Sequence, residues 1–376
     1  MRLMYLMTEP FGVGGVQSDM LALSENLTKK GHEIFVATTP GVLLEELIST
    51  NARFVDLDFH IKGPMALLHS AFSLRKVIVE EGIEVLAPQS VRTTLVSFVG
   101  LRLLPFKYRV KKTGQRLPII TTIHNIHNPR YCKYGGYLLN TCSDYVIFES
   151  HYEHNRLLAN GLSKNKSTVI HSGIDTGIFQ RRDPDPELLT QYRLDKKHHK
   201  IFGIVARLSE EKGHQYLLHA FAQLYHEDKS LRLMVVGDGP LWPQTKALAK
   251  KLDVVEGVIF TGLQRNVPGY LALFDIFVLS STRESFPLAA REAMLAGKAV
   301  IAPNIGGCPE VVDDGTTGYL FEAGNSNDLA AKMRQIICND RFVEFGRQAT
   351  VRAERLFSKQ QWIEGDEAIY LRWHHK

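Results

Sequence analysis

The chain repeats one rhythm through both its halves: a short apolar run, a turn, then a helix-length segment. Leu3 to Met7 reads as the first strand, and a Gly-rich turn leads into a helix from about Gln17 to Lys30 with Gly31 at its stop. Further strands are predicted at Glu33–Thr38, Arg53–Leu57, Val85–Ala87, Ile119–Ile123, Val146–Phe148 and Thr168–Ile170, with a helix near Leu67–Glu81. The second half starts again with a strand at Ile201–Val205 and a helix at about Gln215–Glu227. Strands follow at Leu231–Val236, Val258–Phe260, Ile276–Leu279 and Ala299–Ile301. Apolar strands alternating with helices point to parallel, doubly wound α/β sheets. A chain of 376 residues exceeds one ordinary core, so two such domains are expected, residues 1–172 and 173–357. The polar Gln180–Glu187, with two prolines, is the most linker-like stretch.

Composition narrows the class. Hydrophobic content of 44% with 23% charged residues is that of a soluble globular protein, and no stretch approaches the apolar length of a membrane span. The run Met1–Met7 meets Thr8, Glu9 and Pro10, too soon for a signal-peptide core. Cys132, Cys142, Cys308 and Cys338 show no metal or redox spacing, so reduced thiols in a cytoplasmic protein are expected. Nothing points to nucleic acid. Charge is uneven: residues 1–172 carry 19 Lys and Arg against 14 Asp and Glu, and the remainder 26 of each. Arg102, Lys107, Arg109, Lys111, Lys112 and Arg116 fall in one acid-free span (102–116) among Phe98, Leu101, Leu103, Leu104, Phe106 and Tyr108. Such a basic amphipathic segment suits an anionic membrane surface, and equally a buried helix with a solvated charged end.

Several residues could carry chemistry. Gly12-Val-Gly-Gly-Val-Gln17 opens the first helix, where free N–H groups favour a phosphate. A dinucleotide fingerprint fails there, because Gln17 replaces the third glycine and the second strand ends in Ala37-Thr38-Thr39 without an acid. Arg207, just after a strand, precedes Lys212-Gly213 by five residues, a frame for two cations on a diphosphate. Val235-Val-Gly-Asp-Gly-Pro240 marks another strand-to-helix turn. Glu284-Ser-Phe-Pro-Leu-Ala-Ala-Arg-Glu292 follows a short buried strand, with a helix starting after Pro287. An isolated pair of this kind is ordinarily a solvated face. His124 ends a predicted strand. Asp56-Leu-Asp58 and Asp183-Pro-Asp185 have metal-motif spacing without the surroundings that motif needs, so no metal is expected.

The acidic pair does not stand alone. It follows Phe260-Thr-Gly-Leu-Gln264 and Tyr270–Asp275, and precedes Ala296–Pro303, Gly306-Gly-Cys-Pro-Glu-Val-Val312 and Asp314–Phe321. In this order the run resembles the C-terminal half of the retaining family 4 glycosyltransferases, and Arg207 with Lys212 resembles that family's pyrophosphate-binding pair. The resemblance is specific over Ile201–Asn325 and weaker before Ile170. It implies a GT-B fold of two facing Rossmann-like domains with a cleft between them, with the last helix, about 358–376, crossing back onto the first. It further implies donor contacts from Arg207 and Lys212 to the diphosphate, Glu292 to the ribose, Glu284 near the transferred sugar, and backbone contacts from Gly237 and from Gly262 to Val267 about the nucleotide. Gly14 and Gly15 would line the cleft, and His124 would touch the donor sugar. Pro287 stands where the family often has glycine, so sugar contacts would come from the N–H groups of Phe286 and Leu288. Ser172 stands where the family usually has asparagine, which leaves His171 without a clear role. The implied reaction is a retaining, metal-independent hexosyl transfer from a nucleotide-diphosphate sugar, UDP- or GDP-linked, with no cofactor. The acceptor would be a glycan or lipid-linked hydroxyl, in bacterial polysaccharide or lipopolysaccharide synthesis. A sugar-nucleotide epimerase and a non-catalytic sugar-nucleotide-binding protein are the alternatives.

Overall fold

The computed structural model describes the chain apart from positions 62, 104–113, 115, 127, 128, 339 and 376 and the side chains at 129–131. The chain divides into two compact units, Met1–Gly173 with Gln360–Lys376, and Ile174–Lys359.

In the first unit, β1 (Arg2–Leu6), β2 (Glu33–Thr38), β3 (Arg53–Asp56) and β4 (Val85–Pro88) form a parallel sheet ordered β3-β2-β1-β4. β5 (Ile120–Ile123), β6 (Tyr145–Phe148) and β7 (Ser167–Val169) form a second parallel sheet, joined to β4 by a bridge between Leu86 and Ile119. Alternate residues of β1 and β2 face opposite layers. Leu3, Tyr5, Ile34 and Val36 pack with Met20 and Leu23 of the Gly15–Lys29 helix and with Trp362, Ile363 and Tyr370 of the Lys359–His374 helix. Met4, Leu6, Phe35 and Ala37 pack on Ala71, Leu74 and Ile78 of the Pro64–Glu81 helix. Glu367 anchors the final helix, holding His32 at 2.7 Å and also Lys30.

The second unit has a six-stranded parallel sheet: β8 (Lys200–Val205), β9 (Leu231–Val236), β10 (Val258–Gly262), β11 (Ile276–Val278), β12 (Ala299–Pro303) and β13 (Gly318–Phe321), ordered β10-β9-β8-β11-β12-β13. Phe202, Ile204, Leu233 and Val235 bury one face with Leu217 and Phe221, while Ile201, Met234, Phe277 and Val300 bury the other with Ala290, Met294 and Ala349.

One expectation needs correction and one alternative is decided in part. Gln180–Glu187 is no linker between the units: it lies inside the second, and Asp185 caps the Pro186–Gln191 helix by accepting from the Glu187 N–H at 2.9 Å. Of the two alternatives for the basic span, the ion pairs of Arg102 and Arg116 favour the packed one at those two positions. The Arg102 guanidinium is partly buried, 3.2 Å from Asp144 Oδ2, and donates to the Leu117 carbonyl at 2.7 Å; Arg116 takes the other Asp144 oxygen at 2.7 Å. Lys107, Arg109, Lys111 and Lys112 lie outside the described residues.

In both units the strand order reverses once, between β1 and β4 and between β8 and β11. Helices leave neighbouring strands in opposite directions there, which opens a crevice at their C-terminal ends.

Candidate functional site

The crevice of the second unit is built from the loops after β8 and β11. After β8 the chain places Arg207 in solvent, where no described side chain pairs with it, then turns through Glu210–Lys212 to Gly213. Gly213 has φ 62°, and a side chain there would meet the Ser280 carbonyl at 2.2 Å. Only glycine allows that approach. It lets the two loops bond: the Thr282 N–H donates to the Glu211 carbonyl at 2.8 Å and the Ser280 hydroxyl to the Lys212 carbonyl at 2.9 Å. Lys212 Nζ lies 2.7 Å from Glu284 Oε1, which also accepts from the Ser281 hydroxyl at 2.7 Å. Lys212 and Glu284 therefore form one fixed pair, with Arg207 as a second, uncommitted cation at the same sheet edge.

The other residues inferred from the sequence surround this pair along the chain. Pro287 precedes the Leu288–Leu295 helix as its N-cap residue, and Leu288 is the first helical position, where N–H groups have no partner within the helix. The Phe286 ring is buried against Phe357 at 5.5 Å and under the Arg291 guanidinium at 4.1 Å. Glu292 is partly buried, and desolvation lifts its carboxyl to about 7 against the opposing pull of Arg291. The Gly237 N–H donates to the Gly262 carbonyl at 2.9 Å, tying together the ends of β9 and β10. Val267 opens the next helix behind the Asn266 cap.

At the switch point of the first unit lies a cavity of about 740 Å³. Met7, Thr8 and Glu9 line it after β1, Gln89, Ser90, Val91 and Arg92 after β4, and His124, Asn125 and Ile126 after β5. Val16, Gln17 and Gly63 complete the wall, but Gly14 and Gly15 do not line it. The Gln17 side chain folds over Gly14, and a Cβ there would meet Gln17 Oε1 at 2.4 Å. His124 is buried and gripped on both sides. Its Nε2 lies 2.9 Å from Gln89 Oε1, while the Gln89 amide nitrogen donates to the Ala87 carbonyl, which sets the orientation of that amide. Its Nδ1 lies 2.8 Å from Glu149 Oε1 and 4.0 Å from Asp19 Oδ2. Asp19, His124 and Glu149 bring ligand atoms within 4.8 Å of one another, close enough to hold a cation. His171 Nδ1 sits 2.7 Å from the Glu149 carbonyl oxygen, beside the same strand end.

Sequence reasoning named His124 but not Gln89, Asp19 or Glu149. Polar residues ending the apolar strands β4 and β6 were the available signal. One aspartate of each D-x-D pair has a local role: Asp58 accepts from the His60 N–H at 2.6 Å, and Asp185 is the helix cap described above.

Two family profiles match the chain, "Glycosyltransferase Family 4" over residues 13–177 and "Glycosyl transferases group 1" over residues 189–352. N-acetyl-alpha-D-glucosaminyl L-malate synthase of Bacillus anthracis is 25% identical over 95% of this chain and 94% of its own length. Alpha-monoglucosyldiacylglycerol synthase of Streptococcus pneumoniae is 26% identical over 86% of this chain and 75% of its own. Among solved structures, Anabaena HepE in complex with UDP and glucose superimposes with a TM-score of 0.80 at 20% identity, covering 98% of each chain. With both halves matched in order over two doubly wound units, the chain belongs to the family 4 glycosyltransferases of GT-B fold and is a glycosyltransferase.

Proposed function

We propose that the chain transfers a hexosyl group, with retention and without a metal, from a nucleotide-diphosphate sugar to a hydroxyl of a glycan or lipid-linked acceptor in bacterial cell-surface polysaccharide or glycolipid synthesis. The observation that carries this is the pairing at the β8–β11 crevice: Lys212 fixed at 2.7 Å on Glu284, beside an exposed Arg207 that no described group engages. Two cations on a rigid strand edge can meet a leaving diphosphate as its charge develops. The bond from the sugar's C1 to the diphosphate oxygen breaks, the acceptor oxygen bonds C1 on the same face, and its proton passes to the departing phosphate. Glu292 takes the ribose hydroxyls, and the N–H groups of Phe286 and Leu288 meet the sugar. The cavity of the first unit, with His124 in its wall, receives the acceptor or the sugar being moved.

HepE binds UDP, which makes UDP-sugars the first donors to test, with GDP-sugars next. A relative named for a glucosyldiacylglycerol product supports a lipid acceptor; such an acceptor would bring the chain to the cytoplasmic face of a membrane. No described helix is long and apolar enough to cross one. A thermal-shift screen with UDP-, GDP-, ADP- and TDP-sugars should single out one base, since a ligand at 100 times its Kd stabilises by about 2.7 kcal/mol. Arg207→Ala and Lys212→Ala should each weaken that nucleoside diphosphate by about 1.5–3 kcal/mol in calorimetry. Unchanged affinity in both variants would remove this crevice as the donor site.

A further inference from the structure

We propose that the acceptor carries an oxyanion, a carboxylate or a phosphate, and that Arg92 in the wall of the first unit's cavity selects it. The inference rests on the reading above that this cavity serves the transfer, and it adds the chemical class of the acceptor. At about 740 Å³ the cavity has the size of a small-molecule pocket, not of a packing defect. Its lining is mostly apolar or neutral. Besides the buried His124, only Glu9 and Arg92 in it can carry a charge.

Arg92 is poorly placed for a structural cation. It is the second residue of the Val91–Phe98 helix, at the positive end of the helix dipole, in a first turn without an acid. Its Nε donates to the Phe59 carbonyl, its Nη2 is buried with no hydrogen-bond partner, and no described carboxylate forms an ion pair with it. The side chain is partly buried, so water does not fully solvate the charge. Such a cation is costly until an anion meets it.

The neighbouring polar groups are committed to one another. The Ser90 hydroxyl accepts from the Thr93 N–H at 3.2 Å and lies 2.8 Å from the Thr8 hydroxyl, and Gln89 is held between His124 and the Ala87 carbonyl. Glu9 is exposed, while Asp19 and Glu149 face His124 and do not line the cavity. An oxyanion in the cavity would complete the partners of the guanidinium, whose fork matches two oxygens of a carboxylate or phosphate. A neutral compound would leave the charge unpaired, which is how a polar site rejects a ligand that lacks the matching group. The donor's diphosphate already has Arg207 and Lys212 in the reading above, so this cation is left for the acceptor.

The test is ligand-detected NMR titration of the full chain with three matched probes, D-glycerate, glycerol 3-phosphate and neutral glycerol. The wild type should bind one of the charged probes at least about tenfold more tightly than glycerol, the scale of a charged hydrogen bond, and the better of the two names the oxyanion. Arg92→Gln keeps a donor for the Phe59 carbonyl and should lose this preference. Arg92→Lys restores the charge without the fork and should recover part of it. Melting temperatures near that of the wild type certify the fold of both variants, and the preference of the wild type is read without either. The proposal is overturned if the charged probes bind no better than glycerol, or if Arg92→Gln keeps the preference. It is also overturned if the charge preference shows only between UDP-glucuronate and UDP-glucose, which would assign the anion to the sugar being moved. Calorimetry with the nucleoside diphosphate reports separately on the donor site. Its affinity should be the same in the Arg92 variants, and a loss there would make Arg92 a donor contact and overturn the proposal. A wild type that binds no nucleoside diphosphate would sink the donor reading and leave the probe series to stand by itself.

Discussion

Glu292 sits partly buried on a helix whose next-door Arg291 is among the largest fully buried side chains of the protein. Desolvation lifts the Glu292 carboxyl from an ordinary 4.5 to about 7, so the folded chain holds that proton more tightly than the unfolded one. Its contribution is thus most favourable below pH 4.5 and is lost as pH rises through 7. Glu292→Gln removes this titration. In the ligand-free protein the variant should gain on the wild type in melting temperature between those two values, and remain the more stable above them. Its apparent KM for the donor should rise, because a ribose hydroxyl loses a charged acceptor. A variant less stable at every pH would make Glu292 structural and end its assignment to the ribose. Two adjacent charged residues at 291 and 292 carry no sign in the sequence of which one turns inward. Packing decides it: the Arg291 guanidinium lies over the Phe286 and Phe357 rings at 4.1 and 5.7 Å.

At the scale of elements, the loop holding Glu284 rests on the glycine pair at 306 and 307. Gly306 has φ 55°, and a Cβ on it would stand 1.6 Å from the Glu284 carbonyl; one on Gly307 would stand 2.0 Å from that of Ser285. Gly315 has a similar φ of 76° with open space around it. Alanine at either position should cost about 1–2 kcal/mol for the left-handed backbone alone. Only Gly306→Ala should also displace Glu284 and its partner Lys212, and so weaken the nucleoside diphosphate in calorimetry. Equal affinities in the two variants would show that this packing does not position the site. The elements themselves were readable where the pattern is local. β2 and β9 have the predicted bounds, because unbroken apolar runs between turns have few alternatives. β13 was not read as a strand: Gly318-Tyr-Leu-Phe321 is short, and only its pairing with β12 makes it one.

Across the whole molecule, two sheets each reverse their strand order once, and each reversal carries a group of polar residues. The proposed same-face attack predicts that the product keeps the donor's anomeric configuration, read from its anomeric proton by NMR; with Arg207 and Lys212 available to the leaving diphosphate, excess EDTA should leave the rate unchanged. An inverted product would overturn the retaining mechanism. Activity lost in EDTA and restored by Mn²⁺ or Mg²⁺ would direct attention to Asp19, His124 and Glu149, whose ligand atoms already cluster, rather than to Asp56 and Asp58.

The sequence alone determined the two doubly wound halves, the family, the loops that carry Arg207, Lys212 and Glu284, and the helix that carries Glu292, because strand periodicity and strand-end motifs are local properties of the chain. The tertiary structure decided what those loops meet. The Lys212–Glu284 pair spans 72 positions, and the grip of Gln89 and Glu149 on His124 joins the ends of three strands. Strand order, which sets such neighbours, depends on how helices cross the sheet and leaves no periodic trace in the sequence.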